Sequence, residues 1–137
     1  MRLEFFVVAE NVSVDRTTNE LSVFNVMESL RADVFPGVIP KCVAVSLWRL
    51  EPGDEGQDWQ ATIRIYVPGE NVQEFPTNFR SQPGATRHRV TQRIYGLPLR
   101  QAGDLRFELL LNGQHSADHV ATVQMAEEGA PVGRVPG

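Results

Sequence analysis

The sequence predicts an all-β chain, a two-layer antiparallel β-sandwich of seven to eight strands in an immunoglobulin-like or C2-like arrangement. Three observations carry this. Apolar and polar residues alternate with period two over much of the chain. Gly, Pro, Asn and Asp interrupt the alternation about every ten residues, the spacing of sandwiches and barrels. Helical periodicity is nearly absent. Period two sends successive side chains to opposite faces of a strand, so each such segment can offer one face to a core and one to water. A chain of 137 residues buries roughly two-thirds of its unfolded surface as one domain, and needs no metal or disulfide to hold its core.

The elements follow in chain order. Leu3 to Ala9 and Val12 to Val14 read as one broken strand, and Arg16-Thr17-Thr18-Asn19 turns the chain into a second near Leu21 to Met27. In that second strand Leu21 and Val23 have one parity and Phe24 and Val26 the other, which predicts a bulge. A single helical turn fits only around Glu28 to Asp33. Phe35 to Pro40 contains two prolines and reads as an extended connector, because residues before Pro avoid the helical region. From Lys41 to Leu50 both parities are apolar, as in a central strand covered on both faces. Trp59 to Val67 alternates cleanly, with Ala61, Ile63 and Ile65 inward and Gln60, Thr62, Arg64 and Tyr66 outward. Leu105 to Leu111 does the same, with Leu105, Phe107 and Leu109 inward and Arg106 and Glu108 outward. Asn112-Gly113 tolerates the positive φ of a tight hairpin into a last strand ending Ala121, Val123, Met125. One domain over residues 1–128 and a frayed tail, Gly129 to Gly137, complete the expected organisation.

Thirteen basic against 17 acidic residues give a net charge of −4, which supplies no general attraction to nucleic acid or anionic lipid. Nucleic acid is not an expected partner. Twelve of the basic residues are Arg and only Lys41 is Lys. The single cysteine, Cys42, forms no internal disulfide, alternates with Ala44 toward a packed face and fits a reducing compartment. The apolar run Phe5 to Ala9 is bracketed by Glu4 and Glu10 and falls short of a secretory segment. No stretch approaches a membrane span, so the expectation is a cytoplasmic protein with no membrane association.

Gly96-Leu97-Pro98-Leu99 followed by Ala102-Gly103-Asp104-Leu105-Arg106-Phe107 resembles the corner leading into strand F of immunoglobulin-like sandwiches. Leu105 stands where an antibody domain carries its corner tyrosine and Phe107 where it carries its second cysteine, so an antibody-type domain is not expected. From Val12-Ser13-Val14-Asp15 and Glu20-Leu21-Ser22-Val23-Phe24, through Phe35-Pro36, to Asn112-Gly113, the chain resembles a family of small uncharacterised bacterial proteins, a domain of unknown function. That resemblance implies a β-rich domain and a bacterial cytosol. It transfers no catalytic residue.

Four constellations are candidates for chemistry. On an ideal strand His115 and His119 lie about 13 Å apart, too far to share one ion. The loop Glu51 to Asp58 gathers four carboxylates that could attract calcium, but it lacks EF-hand spacing and reads more simply as a solvated hairpin loop. Trp48 and Trp59, at the two ends of that hairpin, are expected in the core rather than stacked on a sugar. The most unusual segment is Arg87 to Tyr95, where Arg87, Arg89, Thr91, Arg93 and Tyr95 share one face. Such a face can grip an acidic partner, or it can be an ordinary outer face paired with carboxylates such as Glu108, or a protected edge strand. No nucleophile elbow, Walker loop, dinucleotide fingerprint or zinc-protease motif occurs, so no catalytic residue, metal or cofactor is predicted. The expected role is a non-catalytic binding or assembly module acting through a strand face or sheet edge, on a protein partner or a second copy as a homodimer. The alternative is a binder of an anionic small molecule or sugar through Arg64, Arg93, Tyr66 and the tryptophans. Hydrolase activity comes third, since no acid–base pair can be named.

Overall fold

Segments of alternating parity form two sheets in a computed structural model that describes residues 1–126. Among these residues there are nine strands and no helix: β1 Arg2–Val14, β2 Leu21–Val26, β3 Ser29–Ala32, β4 Gly37–Arg49, β5 Asp58–Tyr66, β6 Gln73–Arg80, β7 Arg87–Leu99, β8 Gly103–Leu111 and β9 Gln114–Met125. One sheet has the order β2-β1-β4-β7 and the other β3-β9-β8-β5-β6. All neighbours are antiparallel except β3 and β9. The sheets share one apolar cluster in which Trp48, Val90 and Ile94 of the first pack with Ile63, Ile65 and Phe107 of the second. The expected tail lies outside the described residues.

The strand count exceeds the expected seven to eight because a segment expected as a helical turn and a segment given no element in the sequence are both strands. Glu28 to Asp33 contains β3, not a helical turn: Leu30 packs against the shared core and the segment pairs with β9. Gln73–Arg80 is β6, in which Pro76 is tolerated because β6 is an edge. The connector Phe35 to Pro40 also departs from expectation, since Gly37 to Pro40 already belongs to β4.

Apolar residues of both parities in β4 have a specific cause. Cys42, Ala44 and Trp48 face the shared core, while Val43 and Val45, both fully buried, face outward. β1 pairs with β4 from Arg2 to Ala9 and with β2 from Ala9 to Val14, so its second half is free to carry the β1–β2 hairpin over the outer face of its own sheet. Val12, Leu21 and Val23 then cover Val43 and Val45. The apparent break in β1 is this change of partner. No bulge occurs in β2; Phe24 and Val26 keep register with β1 and are exposed, and Asn25 between them takes a positive φ of 57°.

Bulges occur elsewhere, at Leu3/Phe5 in β1 and Leu109/Leu110 in β8. The β8–β9 hairpin turns at Asn112 and Gly113, with φ of 49° and 81°, as the Asn-Gly pair requires. The loop between Trp48 and Trp59 is not a hairpin loop, because β4 and β5 belong to different sheets and the loop crosses between them.

Candidate functional site

β7 is an edge strand, and alternation sets Arg87, Arg89, Thr91, Arg93 and Tyr95 along its outer face while Val90 and Ile94 enter the core. Arg87 Nε donates to Glu4 Oε1 at 2.8 Å. Arg89 reaches under the β1–β2 hairpin, where one terminal nitrogen donates to the Asn19 carbonyl at 3.0 Å and its buried Nε has no hydrogen-bond partner. Arg93 and Tyr95 are exposed, Tyr95 at 67%. His88 and Gln92, of the opposite parity, close the side of the molecule where β7 and β6 lie near one another. His88 stacks on Phe79 at 4.3 Å between ring centroids, and Gln92 Nε2 donates to the Phe75 carbonyl at 2.9 Å. Burial holds the His88 imidazole below its usual pKa.

Register adds residues that the segment alone did not reveal. Arg2 lies directly opposite Arg49, and Arg49 directly opposite Arg87, so three arginines form one row across β1, β4 and β7. Glu4, the extra residue at the β1 bulge, is the carboxylate that reaches this row. Just beyond it, Glu51 and Asp54 of the acidic loop hold the Met1 amine, Asp54 at 2.8 Å. A hydrogen bond from that amine keeps the Asp54 pKa below its ordinary value. Asp58, the last acid of the loop, pairs with Arg80. The loop's carboxylates therefore diverge, and no calcium cage forms from them.

Arg64 and Tyr66 are not part of this surface. They lie on the outer face of the other sheet, together with Glu74, Arg106, Glu108, His115 and Asp118. Glu108 does not pair with the β7 arginines, since β8 lies between β5 and β9. Its Oε1 accepts from the Tyr66 hydroxyl at 2.8 Å and its Oε2 lies 2.7 Å from His115 Nδ1. Arg64 approaches Glu108 to 3.7 Å and Glu74 to 2.8 Å, and Arg106 lies 3.9 Å over the Tyr66 ring while bonding Asp118 at 3.3 Å. Desolvation alone would raise the Glu108 pKa, but the hydrogen bonds from His115 and Tyr66 and the charges of His115 and Arg64 outweigh it and hold the carboxyl below its usual range.

The Leu109/Leu110 bulge decides the fate of the two histidines. It brings His115 opposite Leu110 and Asp118 opposite Glu108 on the outer face, whereas His119, opposite Phe107, faces inward. There the Val8 amide donates to His119 Nδ1 at 3.3 Å, so the ring proton sits on Nε2 and donates to the Met27 carbonyl at 2.7 Å. His115 and His119 thus occupy opposite faces and share no ligand.

The ligand atoms of Glu108, His115 and Asp118 all lie within 4.8 Å of one another, and these are the residues best placed to hold a cation. Their charge is already balanced by Arg64 and Arg106, and an ion would have to displace the His115–Glu108 contact. Beside them the Tyr66 hydroxyl donates its hydrogen bond to the same Glu108 carboxylate. Trp48 is buried in the core with Nε1 bonded to Ser46, and Trp59 Nε1 bonds Ser81, so neither tryptophan joins Arg64 or Arg93. Burial pushes the Cys42 thiol up to about 11, which leaves it inert as a nucleophile. Two shallow surface depressions, one at Trp59 and Phe79 and one at Phe35 and Pro98, include none of the six predicted binding residues. No helix among the described residues is long and apolar enough to cross a membrane.

No curated protein matches the chain. A family of unknown function, DUF6941, matches residues 4–124. The match takes in every strand from the β1 bulge almost to the end of β9, the elements that build both outer faces, and the chain belongs to that family.

Proposed function

We propose that this protein is a non-catalytic binding or assembly module that takes an extended segment of a protein partner along the open edge of β7. A two-layer sandwich of the immunoglobulin-like or C2-like kind, in a bacterial cytosol, is the setting that goes with it. One observation carries the proposal: β7 is a thirteen-residue strand that pairs, among the described residues, with β4 alone. Unpaired backbone N–H and C=O groups along such an edge give affinity without special side chains. The other three edges are poorer templates. β3 has four residues, β6 carries Pro76 at its middle, and β2 is six residues long and interrupted by the positive φ of Asn25, whereas in β7 Pro98 and the positive φ of Gly96 come only after the uninterrupted run 87–95.

A partner strand fits better than a second copy. A two-fold antiparallel β7–β7 pairing centred on Thr91 would set Arg89 against Arg93 of the other copy on the same face, and like charges directly opposite destabilise a ladder. Small-molecule binding through Arg64, Arg93 and Tyr66 finds less support, because the first and last of these belong to a different sheet from Arg93. The test is hydrogen–deuterium exchange on the protein with peptides selected against it from a random display library. Protection confined to the amides of residues 87–95 supports the edge. Protection on the Tyr66–Glu108–His115 face, with β7 unchanged, sinks it.

A further inference from the structure

Cross-strand neighbours in a sheet sit about 4.5–5.5 Å apart, and like charges at that distance destabilise the pairing unless something lies between them. Arg2, Arg49 and Arg87 occupy three successive positions of this kind across β1, β4 and β7. The carboxylate that reaches them is Glu4, bonded to Arg87; among the described residues Arg2 and Arg49 pair with no carboxylate. Glu51 and Asp54, the nearest acids of the adjoining loop, are committed to the Met1 amine. Of the three guanidiniums, Arg87 alone has a carboxylate partner among the described residues. The row ends at β7, the open edge, where Arg89 and Arg93 continue the positive charge along the strand at alternate positions.

We propose that the exposed arginines of β7, Arg87 at the end of the row Arg2–Arg49–Arg87 and Arg93 farther along the same face, select an acidic extended segment with carboxylates at alternate positions as the strand added to this edge, with Arg2 and Arg49 adding positive potential behind Arg87. The inference rests on the edge-strand proposal above. An added strand presents every second side chain to the outer face, which is the period of the β7 arginines, and its carboxylates fall opposite guanidiniums whose planar forks suit them. The partner is acidic polypeptide and not nucleic acid: the chain's net charge of −4 repels a long polyanion, while a short segment on the outer face feels chiefly the local row.

The experiment compares two labelled peptides by fluorescence anisotropy, one of alternating Glu and Thr and one of alternating Lys and Thr, with exchange measured on the same complexes. The Glu peptide is expected to bind, to protect the amides of residues 87–95, and to weaken as salt rises from about 50 to about 500 mM. In the double variant Arg87→Ser, Arg93→Ser, which removes the exposed guanidiniums of β7 itself, its affinity falls about tenfold, the loss expected of two charge-assisted contacts at an exposed site. Both residues are exposed, and the Lys peptide control uses the unaltered protein. Equal binding of both peptides with β7 protected overturns the charge selection and leaves the edge proposal standing. Binding of the Glu peptide with β7 amides unchanged overturns the edge proposal and leaves the row as an anion site. Tighter binding of an oligothymidylate, lost in the double variant, replaces the peptide with nucleic acid. No binding of the Glu peptide overturns the inference outright.

Discussion

On the outer face of the five-stranded sheet every charged group of the central cluster meets its complement: Arg64 sits between Glu74 and Glu108, Arg106 bonds Asp118, and His115 bonds Glu108. On the outer face of the four-stranded sheet the centre is apolar, Val43 and Val45 beneath the folded hairpin, and the charge at its end is Arg2, Arg49 and Arg87 against Glu4. One face is internally satisfied. The other is left with uncompensated charge beside an open strand edge. Residue class alone does not separate them, since both offer arginines and an aromatic; what separates them is whether a carboxylate stands across the ladder.

The comparison breaks hardest at the covered centre. Val45→Asp buries an unpaired carboxylate under the hairpin and should cost about 4 kcal/mol of unfolding free energy in urea titration, whereas Val120→Asp, on the outer face of β9 and 48% exposed, should change stability by less than about 0.5 kcal/mol. Equal costs at the two positions would mean that the hairpin does not cover the sheet in solution. Glu108→Ala leaves Tyr66, His115 and Arg64 without their shared acceptor and should cost about 2 kcal/mol.

Acid sharpens the contrast further. The folded Glu108 pKa lies below its ordinary 4.5, so the unfolded chain takes up that proton first and the stabilisation is lost as pH falls below 4.5 through the lowered value. His88 has a folded pKa below its ordinary 6.5. Its neutral form is favoured in the folded protein, so a smaller loss sets in as pH falls below 6.5. His88→Phe keeps a ring against Phe79 and should remove that loss; Glu108→Gln should remove the steeper one at lower pH. Thermal melts across pH 3 to 8 (a range of about five units spanning both groups) would show both steps. A single acid transition unchanged by either substitution would contradict the assignment.

The smallest expected effect has the opposite sign. Removing the middle of the arginine row by Arg49→Thr should raise stability by about 0.5 kcal/mol at low salt, with the gain shrinking as salt screens the row. A loss of stability instead would show that Arg49 is compensated.

Much of the fold was legible because a strand half-buried in a core writes its orientation into every second residue. β5, β8 and the Asn112-Gly113 hairpin are where alternation and turn chemistry place them. β6 was missed because Pro76 breaks the pattern that an interior strand would need, and β3 because four residues pairing in parallel leave too short a period to read. For the candidate site, the face shared by Arg87, Arg89, Arg93 and Tyr95 was visible, but their partners were not. Glu4 is 83 residues from Arg87 in sequence, and nothing local links Arg2 to Arg49. The cluster around Glu108 was not visible for a related reason: the bulge at Leu109/Leu110 reverses the parity that would have kept His115 and Asp118 on different faces.

By itself the sequence determined the chain's periodicity: which segments are extended, which side of each is apolar, where the tight turns fall, and which chemistries have no residues to perform them. Strand order and register were decided only in the tertiary structure. They depend on pairings between distant segments, and shifting one strand by a single residue, or inserting one bulge, turns every side chain beyond it to the opposite face. Whether an arginine meets a carboxylate, another arginine or water is settled by that pairing, which is why one outer face is neutralised within the fold and the other is left facing outward with its charge.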